Sequence, residues 1–320
     1  MQTIKKISNK ISEITINNPA KPEEKSFWIN INNAGKDELD WLRKKFNFKL
    51  SHLQASSAKI MAQRSIIEKN EDYVFMVLRL PVLTDNKITS EEIDFFVNKD
   101  YLITLHDNKL KSLNDIFNLY KKGGDIPEIK HESVISLLYG ILKRSMDGCF
   151  ALLDANGAAI DKLEDAIFGH KAKIAAANIF ALRLNIINTR KALQNHQNII
   201  GSLLEYTAGF DPENGREPIE KIHEDAKTIW LNLESQKEIV EVLNSANESF
   251  MNYHISDIMK TLTIFSVIVF PLTLLAAIFG MNTVNGMPFM ESTNGFWMII
   301  IIMLFSSLGM LIFFKKKKWL

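Results

Sequence analysis

Residues 261–280 read TLTIFSVIVFPLTLLAAIFG, and residues 296–314 read FWMIIIIMLFSSLGMLIFF. Neither stretch carries a charge. As α-helices rising about 1.5 Å per residue, each reaches about 30 Å, the thickness of a bilayer's hydrocarbon core. Helices buried in a soluble core rarely run this long without one ionised side chain. A chain of 320 residues would also have little left to cover two of them. Two C-terminal transmembrane helices are therefore expected.

The flanks carry orientation. Lys260 precedes the first stretch; Lys315, Lys316, Lys317 and Lys318 follow the second, with Trp319 beside them. The segment 281–295 holds no Lys or Arg. Positive charge gathers on the cytoplasmic side of spans. Both termini are thus expected in the cytoplasm, the short loop outside, and the protein in the cell (inner) membrane as a multi-pass chain. The four lysines set topology first, and they also offer a basic collar near any ion path.

Charge outside the spans is ordinary. The chain has 38 Lys+Arg against 37 Asp+Glu, for a net charge of +1. Between residues 261 and 314 the one formal charge is Glu291. So near-neutral a balance argues against a general nucleic-acid binder. Cys149 is alone, which excludes a disulfide within the chain. The seven histidines show no zinc-ligand spacing. The opening MQTIKKISNKISEITINN lacks the apolar run of a signal peptide. No nucleophile–base arrangement or phosphate-binding glycine loop stands out, so an enzyme is not expected.

Before the spans, the chain is mixed and then helical. Residues 26–31, 65–70, 72–83, 91–98 and 101–107 read as strands, with turns at 85–87 and 98–100. Helical stretches fit 37–48, with Asp37 as N-cap, and 51–62, with Ser51 and Gln54 as a capping box. Residues 131–168 and 171–205 show apolar side chains every three or four residues. A turn follows at 209–215. Residues 217–280 then run without Gly until the last, and Pro218 sits where a first helical turn tolerates it. One helix of that length would be a stalk of about 95 Å leading into the first span.

Along that helix Asn252, Ser256, Met259, Thr263, Ser266, Phe270, Thr273 and Ala277 alternate spacings of four and three. They share one face at heptad period. Within lipid, hydroxylated and small faces turn toward other helices or toward water. A tight helix–helix seam is one reading. A pore lined by several copies is the other, because two spans cannot enclose a channel and a conducting assembly must be a ring of copies. In a pore, Phe270 and Met259 would form apolar rings that gate by dewetting, with hydroxyls between them. Pro271 lacks an N–H, so the helix there must bend or satisfy its backbone locally. Gly280, Met281 and Asn282 close the span. A glycine lets the helix stop, and an asparagine repeated around a ring would set neutral carbonyl oxygens at the outer mouth.

These residues resemble the CorA family of divalent cation transporters. Phe279-Gly280-Met281-Asn282 matches the family's aromatic-Gly-Met-Asn signature at the end of the first of two C-terminal spans. Met287-Pro288 with Glu291 resembles its short outer loop, and the ending KKKKWL is similar to its basic tail. The resemblance implies a homopentamer in membrane lipid, with a funnel-shaped cytoplasmic domain and a pore lined by the first span. Asn282 would form the outer ion-binding ring, and Phe270, Met259 and Leu262 fall where the family places apolar constrictions. It also implies regulatory divalent cations between a carboxylate of the N-terminal domain and one on a neighbouring stalk. The matching stalk position is Lys221, not an acid; Glu220, Glu224 and Asp225 are nearby substitutes, with Asp85 or Glu91 opposite. Phe279 stands where Tyr is commoner, and Phe270 where Met is more usual.

The expected class is an α+β membrane protein: a cytoplasmic α/β domain (1–130), a helical region and stalk (131–259), a pore helix (260–281), an outer loop (282–295), a second span (296–314) and a basic tail (315–320). Its expected function is uptake of Mg²⁺, with Co²⁺ and Ni²⁺ as further cargo, driven by the membrane potential and gated by intracellular Mg²⁺. Mg²⁺ would be both transported and regulatory. A zinc transporter of the same superfamily, with or without proton coupling, and a membrane-anchored scaffold remain alternatives.

Overall fold

A computed structural model describes residues 4–17, 25–57, 65–107, 109–122, 133–169, 172–211, 215–282, 286–289 and 292–319. The chain divides into two compact units, Met1–Asn244 and Ser245–Leu320.

The first unit is built on a seven-stranded sheet. Its strands are β1 (Ile4–Lys6), β2 (Ile11–Asn17), β3 (Lys25–Asn32), β4 (Ile66–Lys69), β5 (Val74–Thr84), β6 (Lys87–Val97) and β7 (Tyr101–His106), in spatial order β1-β2-β3-β7-β6-β5-β4. Only β3 and β7 pair in parallel; every other neighbour is antiparallel. The central strands are buried on both faces, which explains their near-continuous apolar runs. Ile29, Ile31, Val77, Phe96, Ile103 and Leu105 pack with Leu42, Phe48 and Leu53 of α1 (Lys36–Phe46), the following link, and α2 (Leu50–Ser57). Trp28 meets Phe117 and Tyr120 of α3 (Lys111–Lys121) edge-on at 5.0 and 5.4 Å. Its Nε1 donates to Thr104 Oγ1 at 3.1 Å, so the indole is buried without a stranded donor.

The β5–β6 hairpin turns at Asp85 and Asn86, both with positive φ (49° and 61°), the two-residue turn whose twist suits flanking strands. It extends beyond the end of β7, which leaves a bare strand edge. Side chains of α5 (Ala172–Leu193) cover that edge: Ile88 N donates to Asn185 Oδ1 at 3.0 Å, and Asn188 Nδ2 donates to the Ile88 carbonyl at 3.1 Å.

The remaining helices are α4 (Val134–Phe168), α6 (His196–Thr207), α7 (Arg216–Phe279) and α8 (Gly295–Lys316). Buried residues of α4 recur at heptad spacing through Leu138, Leu142, Met146, Cys149, Leu153, Ile160, Leu163 and Ile167. Those of α7 do the same through Ile219, Ile222, Ala226, Ile229, Leu233, Val240 and Leu243. This is the signature of long helices packed side by side.

Several local expectations need correction. The N-cap of α1 is Gly35, not Asp37: Gly35 N donates to Glu38 Oε2 at 2.8 Å, and Asp37 lies in the first turn. Helix α2 begins at Leu50, so Ser51 lies inside it; residues 58–62 of the expected helix fall outside the described residues. The expected helix over 171–205 is two, broken at Gln194 and Asn195. Strands β1 and β2 and helix α3 were not expected at all. The long run from 217 to 280 is continuous, as α7 over 64 residues.

Candidate functional site

In the second unit, α7 presents one shielded face and one open face. Ile264 is buried in the apolar stretch 261–279, and half-buried Lys260, Ile268, Pro271, Leu275 and Phe279 recur with it every three or four residues. On α8 the shielded positions include Gly295, Ile299, Met303, Ser306, Met310 and Phe314, also on one face. Pro271 lies inside the helix and removes the donor that the Val267 carbonyl would otherwise meet.

The hydroxyl stripe lies on a different face. Thr263 is one residue, about 100° of rotation, from Ile264. Asn252, Ser256, Met259, Thr263, Phe270, Thr273 and Ala277 are exposed within this unit, Phe270 at 71%; Ser266 is half-buried and Leu262 is exposed at the stripe's edge. Apart from half-buried Ser266, the hydroxyl-bearing face of the span is therefore left open within this unit.

The hydroxyls on this face are already directed. Thr263 Oγ1 donates to the Met259 carbonyl at 2.8 Å, Ser266 Oγ to Leu262 at 2.9 Å, and Thr273 Oγ1 to Val269 at 2.9 Å. Each of these three hydroxyl hydrogens is spent on its own helix four residues back. What remains toward the open face is oxygen lone pairs. Ions such as Mg²⁺ hold their water tightly, and those waters turn hydrogens outward, so a face of acceptors suits a hydrated cation.

Gly280 N donates to the Ala276 carbonyl at 2.9 Å and Met281 N to Ile278 at 3.2 Å, closing α7. Asn282 follows directly and is exposed. It sits at the negative end of the helix dipole, which favours a cation nearby. Lys315 and Lys316 end α8, and all four lysines of the tail are exposed. Lys317 lies 5.6 Å over the Phe313 ring, and Trp319 stacks on Phe314 at 5.8 Å.

The proposed regulatory carboxylates lie in the first unit. Asp85 is exposed at the hairpin tip, and Glu224 is exposed on α7. Glu91 is nearly buried and accepts from Lys109 Nζ at 3.2 Å; burial pushes its pKa up. Glu220 pairs with Arg216 at 2.7 Å, and Asp225 with Lys143 at 3.2 Å. Among the described residues, no three His, Cys, Asp or Glu side chains converge as a metal cluster. Sequence reasoning did not single out Lys143 or Lys109. The i,i+4 spacing of Lys143 and Asp147 was visible, but the partner on α7 lies 82 residues away.

The chain is similar to known proteins in sequence and in fold. The family model described as CorA-like Mg²⁺ transporter protein matches residues 23–316. The chain is 24% identical over 310 residues to the cobalt/magnesium transport protein CorA of Thermotoga maritima, covering 94% of this chain and 86% of that one. It is 22% identical over 294 residues to the cobalt/magnesium transport protein CorA of Methanocaldococcus jannaschii, covering 92% and 91%. The complete structure of the CorA magnesium transporter from Methanocaldococcus jannaschii superposes with a TM-score of 0.79 at 21% identity, over 92% of both chains, a likeness of fold. The chain belongs to the CorA-like Mg²⁺ transporter family. It is a divalent cation transporter of that family, an α+β membrane protein with an N-terminal α/β unit, a long helix and two C-terminal apolar helices. That family comprises ion transporters rather than enzymes.

Proposed function

We propose that five copies of this chain surround a wet axis in the inner membrane, termini in the cytoplasm, and pass Mg²⁺ inward, with Co²⁺ and Ni²⁺ as further cargo. The observation that carries the proposal is the open hydroxyl stripe of α7, Asn252 through Ala277, on a face distinct from the shielded one. A stripe of that kind must meet another helix or water. A ring of copies gives it both.

In such a ring, Asn282 amides receive the hydrated ion at the outer mouth. Neutral carbonyl oxygens accept from its water shell without stripping it. Carboxylates would hold the ion more tightly and release it more slowly, and conduction needs release. The acceptor lone pairs of Thr273, Ser266 and Thr263 continue that path inward. Phe270, Met259 and Leu262 supply apolar constrictions that block the ion while dry. The membrane potential drives entry: about 4.6 kcal/mol per 100 mV for a charge of two.

A pore driven this strongly needs a brake. Intracellular Mg²⁺ held between subunits, by Asp85 or Glu91 on one side and by Glu220, Glu224 or Asp225 on the other, would keep the ring closed. Its loss would let carboxylates repel and the apolar rings widen.

Asn282→Ala tests the outer ring. Purified protein in liposomes, with Mg²⁺, Co²⁺, Ni²⁺ and Zn²⁺ compared, should lose roughly tenfold or more of its Mg²⁺ flux on this substitution. Undiminished flux in a correctly inserted pentamer would eliminate that role for Asn282. Cross-linking that stops at two copies would eliminate the ring itself.

A further inference from the structure

Lys143 projects from α4 into a gap between two carboxylates. Its Nζ lies 2.9 Å from Asp147 Oδ1 on the same helix and 3.2 Å from Asp225 Oδ2 on α7. The side chain is 28% exposed, so the ammonium is partly withdrawn from water. The hydrogen bond it donates to Asp147 and the pairing with Asp225 push its pKa up to about 12, and it stays charged at every physiological pH. The same motif recurs on the sheet. Lys109 Nζ lies 3.2 Å from Glu91 Oε2 and 3.1 Å from Asp107 Oδ2. In both places one ammonium bridges two carboxylates, and one of the two is a candidate regulatory ligand.

We propose that Lys143 is a tethered counter-ion occupying the place between Asp147 and Asp225 that a divalent cation would otherwise take, so that the α4–α7 contact is held closed without metal. This rests on the intracellular Mg²⁺ brake proposed above, and it narrows that brake by removing Asp225 from its candidate ligands. Two carboxylates that share one ammonium can close on a partly hydrated Mg²⁺ in its place, since the ion takes one or two carboxylates and keeps its remaining waters. With lysine in place the carboxylate charge is balanced to −1, and an added cation gains little. Without it, two facing carboxylates carry −2, and they repel unless a cation enters. Asp225 then contributes no metal ligand in the native chain. Lys109 occupies Glu91 in the same way, so Mg²⁺ sensing is left to Asp85, Glu224 and Glu220.

The test is Lys143→Met in the full-length protein in detergent. Thermal melts are recorded from no added Mg²⁺ to about 20 mM, with K⁺ at matched ionic strength as the control. The substituted protein should melt below the native protein without Mg²⁺ and rise with Mg²⁺ by about 3 °C or more beyond the native response. The double substitution Lys143→Met with Asp225→Asn removes the repulsion and should lose that extra response. An Mg²⁺ response identical in the native and Lys143→Met proteins overturns the proposal; so does an extra response that survives Asp225→Asn. If Lys143→Met does not fold, Lys143→Gln is read by the same criteria. Liposome flux at varied internal Mg²⁺ reports separately on gating. A native Mg²⁺ brake that is absent altogether sinks the sensing reading and leaves the melting result to stand or fall by itself.

Discussion

Asn156 and Gln236 meet at 3.2 Å, Nδ2 to Oε1, in the contact between α4 and α7, and Gln236 Nε2 donates onward to the Leu153 carbonyl at 2.8 Å. Apolar side chains alone allow two long helices to slip by a heptad. A partly buried amide pair satisfied in one register disfavours the others. The pair therefore fixes how α7 is aligned along α4.

Gln236→Ala should cost about 1–3 kcal/mol, because Asn156 keeps its burial and loses its acceptor. Asn156→Leu with Gln236→Leu should recover most of that loss while broadening helix register. Thermal melts of the two variants, with disulfide trapping between engineered cysteines on α4 and α7, check both halves. A single-variant loss under about 0.5 kcal/mol would rule out the register role.

Phe270 is the largest exposed side chain on the hydroxyl stripe. Phe270→Ala should leave folding intact and wet the constriction. Mg²⁺ leak at high internal Mg²⁺ should rise roughly tenfold in liposome flux. An unchanged leak would place the gate elsewhere on α7.

A Cβ at Gly280 would stand 3.0 Å from the Ala276 carbonyl oxygen. Gly280→Ala asks the end of α7 to give by a few tenths of an ångström, and with it Asn282. Mg²⁺ uptake should fall several-fold while pentamer yield stays near native, as measured by flux and by size in detergent. Equal loss of both would mean that the glycine serves assembly alone.

Asp94 on β6 is enclosed. Burial, then the Glu92 charge, pushes its pKa up to about 8 from 3.8. The folded state thus keeps a proton that the unfolded chain releases near pH 4. Its contribution to stability is full below that pH and declines as pH rises toward about 8, where the folded state also lets the proton go. Burial lowers His106 and His196 to about 4, so they act oppositely and only below about pH 6.5. Between about pH 6 and pH 9 the native protein should lose on the order of a few kcal/mol that Asp94→Asn does not lose. Denaturant melts at the two ends of that range decide it; parallel losses in both proteins would exclude Asp94 as the source.

The parts of the fold that were legible in the chain are those governed by one repeated spacing. The two spans, the stripe from Asn252 to Ala277 and the unbroken α7 follow from apolar and hydroxyl residues recurring at helical period, a local property. The β5–β6 turn was equally legible, because Asp85 and Asn86 tolerate positive φ. Expectation failed where several local choices were close in energy. Gly35 and Asp37 can both begin α1, and the choice of Gly35 depended on Glu38 reaching back to its N–H. The break at Asn195 carries no Gly or Pro to announce it. Strands β1 and β2 gain stability only by pairing with each other and with β3, so their short sequences say little alone.

Family membership, the two apolar spans and the stripe that would line a path were all written in the order of residues, because each depends on neighbours within one or two helical turns. Pairings across the chain were not: Asn185 on Ile88, Gln236 on Leu153, and Lys143 between Asp147 and Asp225. Each joins residues at separations no periodicity records. Hydrogen bonds and ion pairs form only once hydrophobic burial has brought the helices and sheet together, and folding alone selects which polar groups then share a partner.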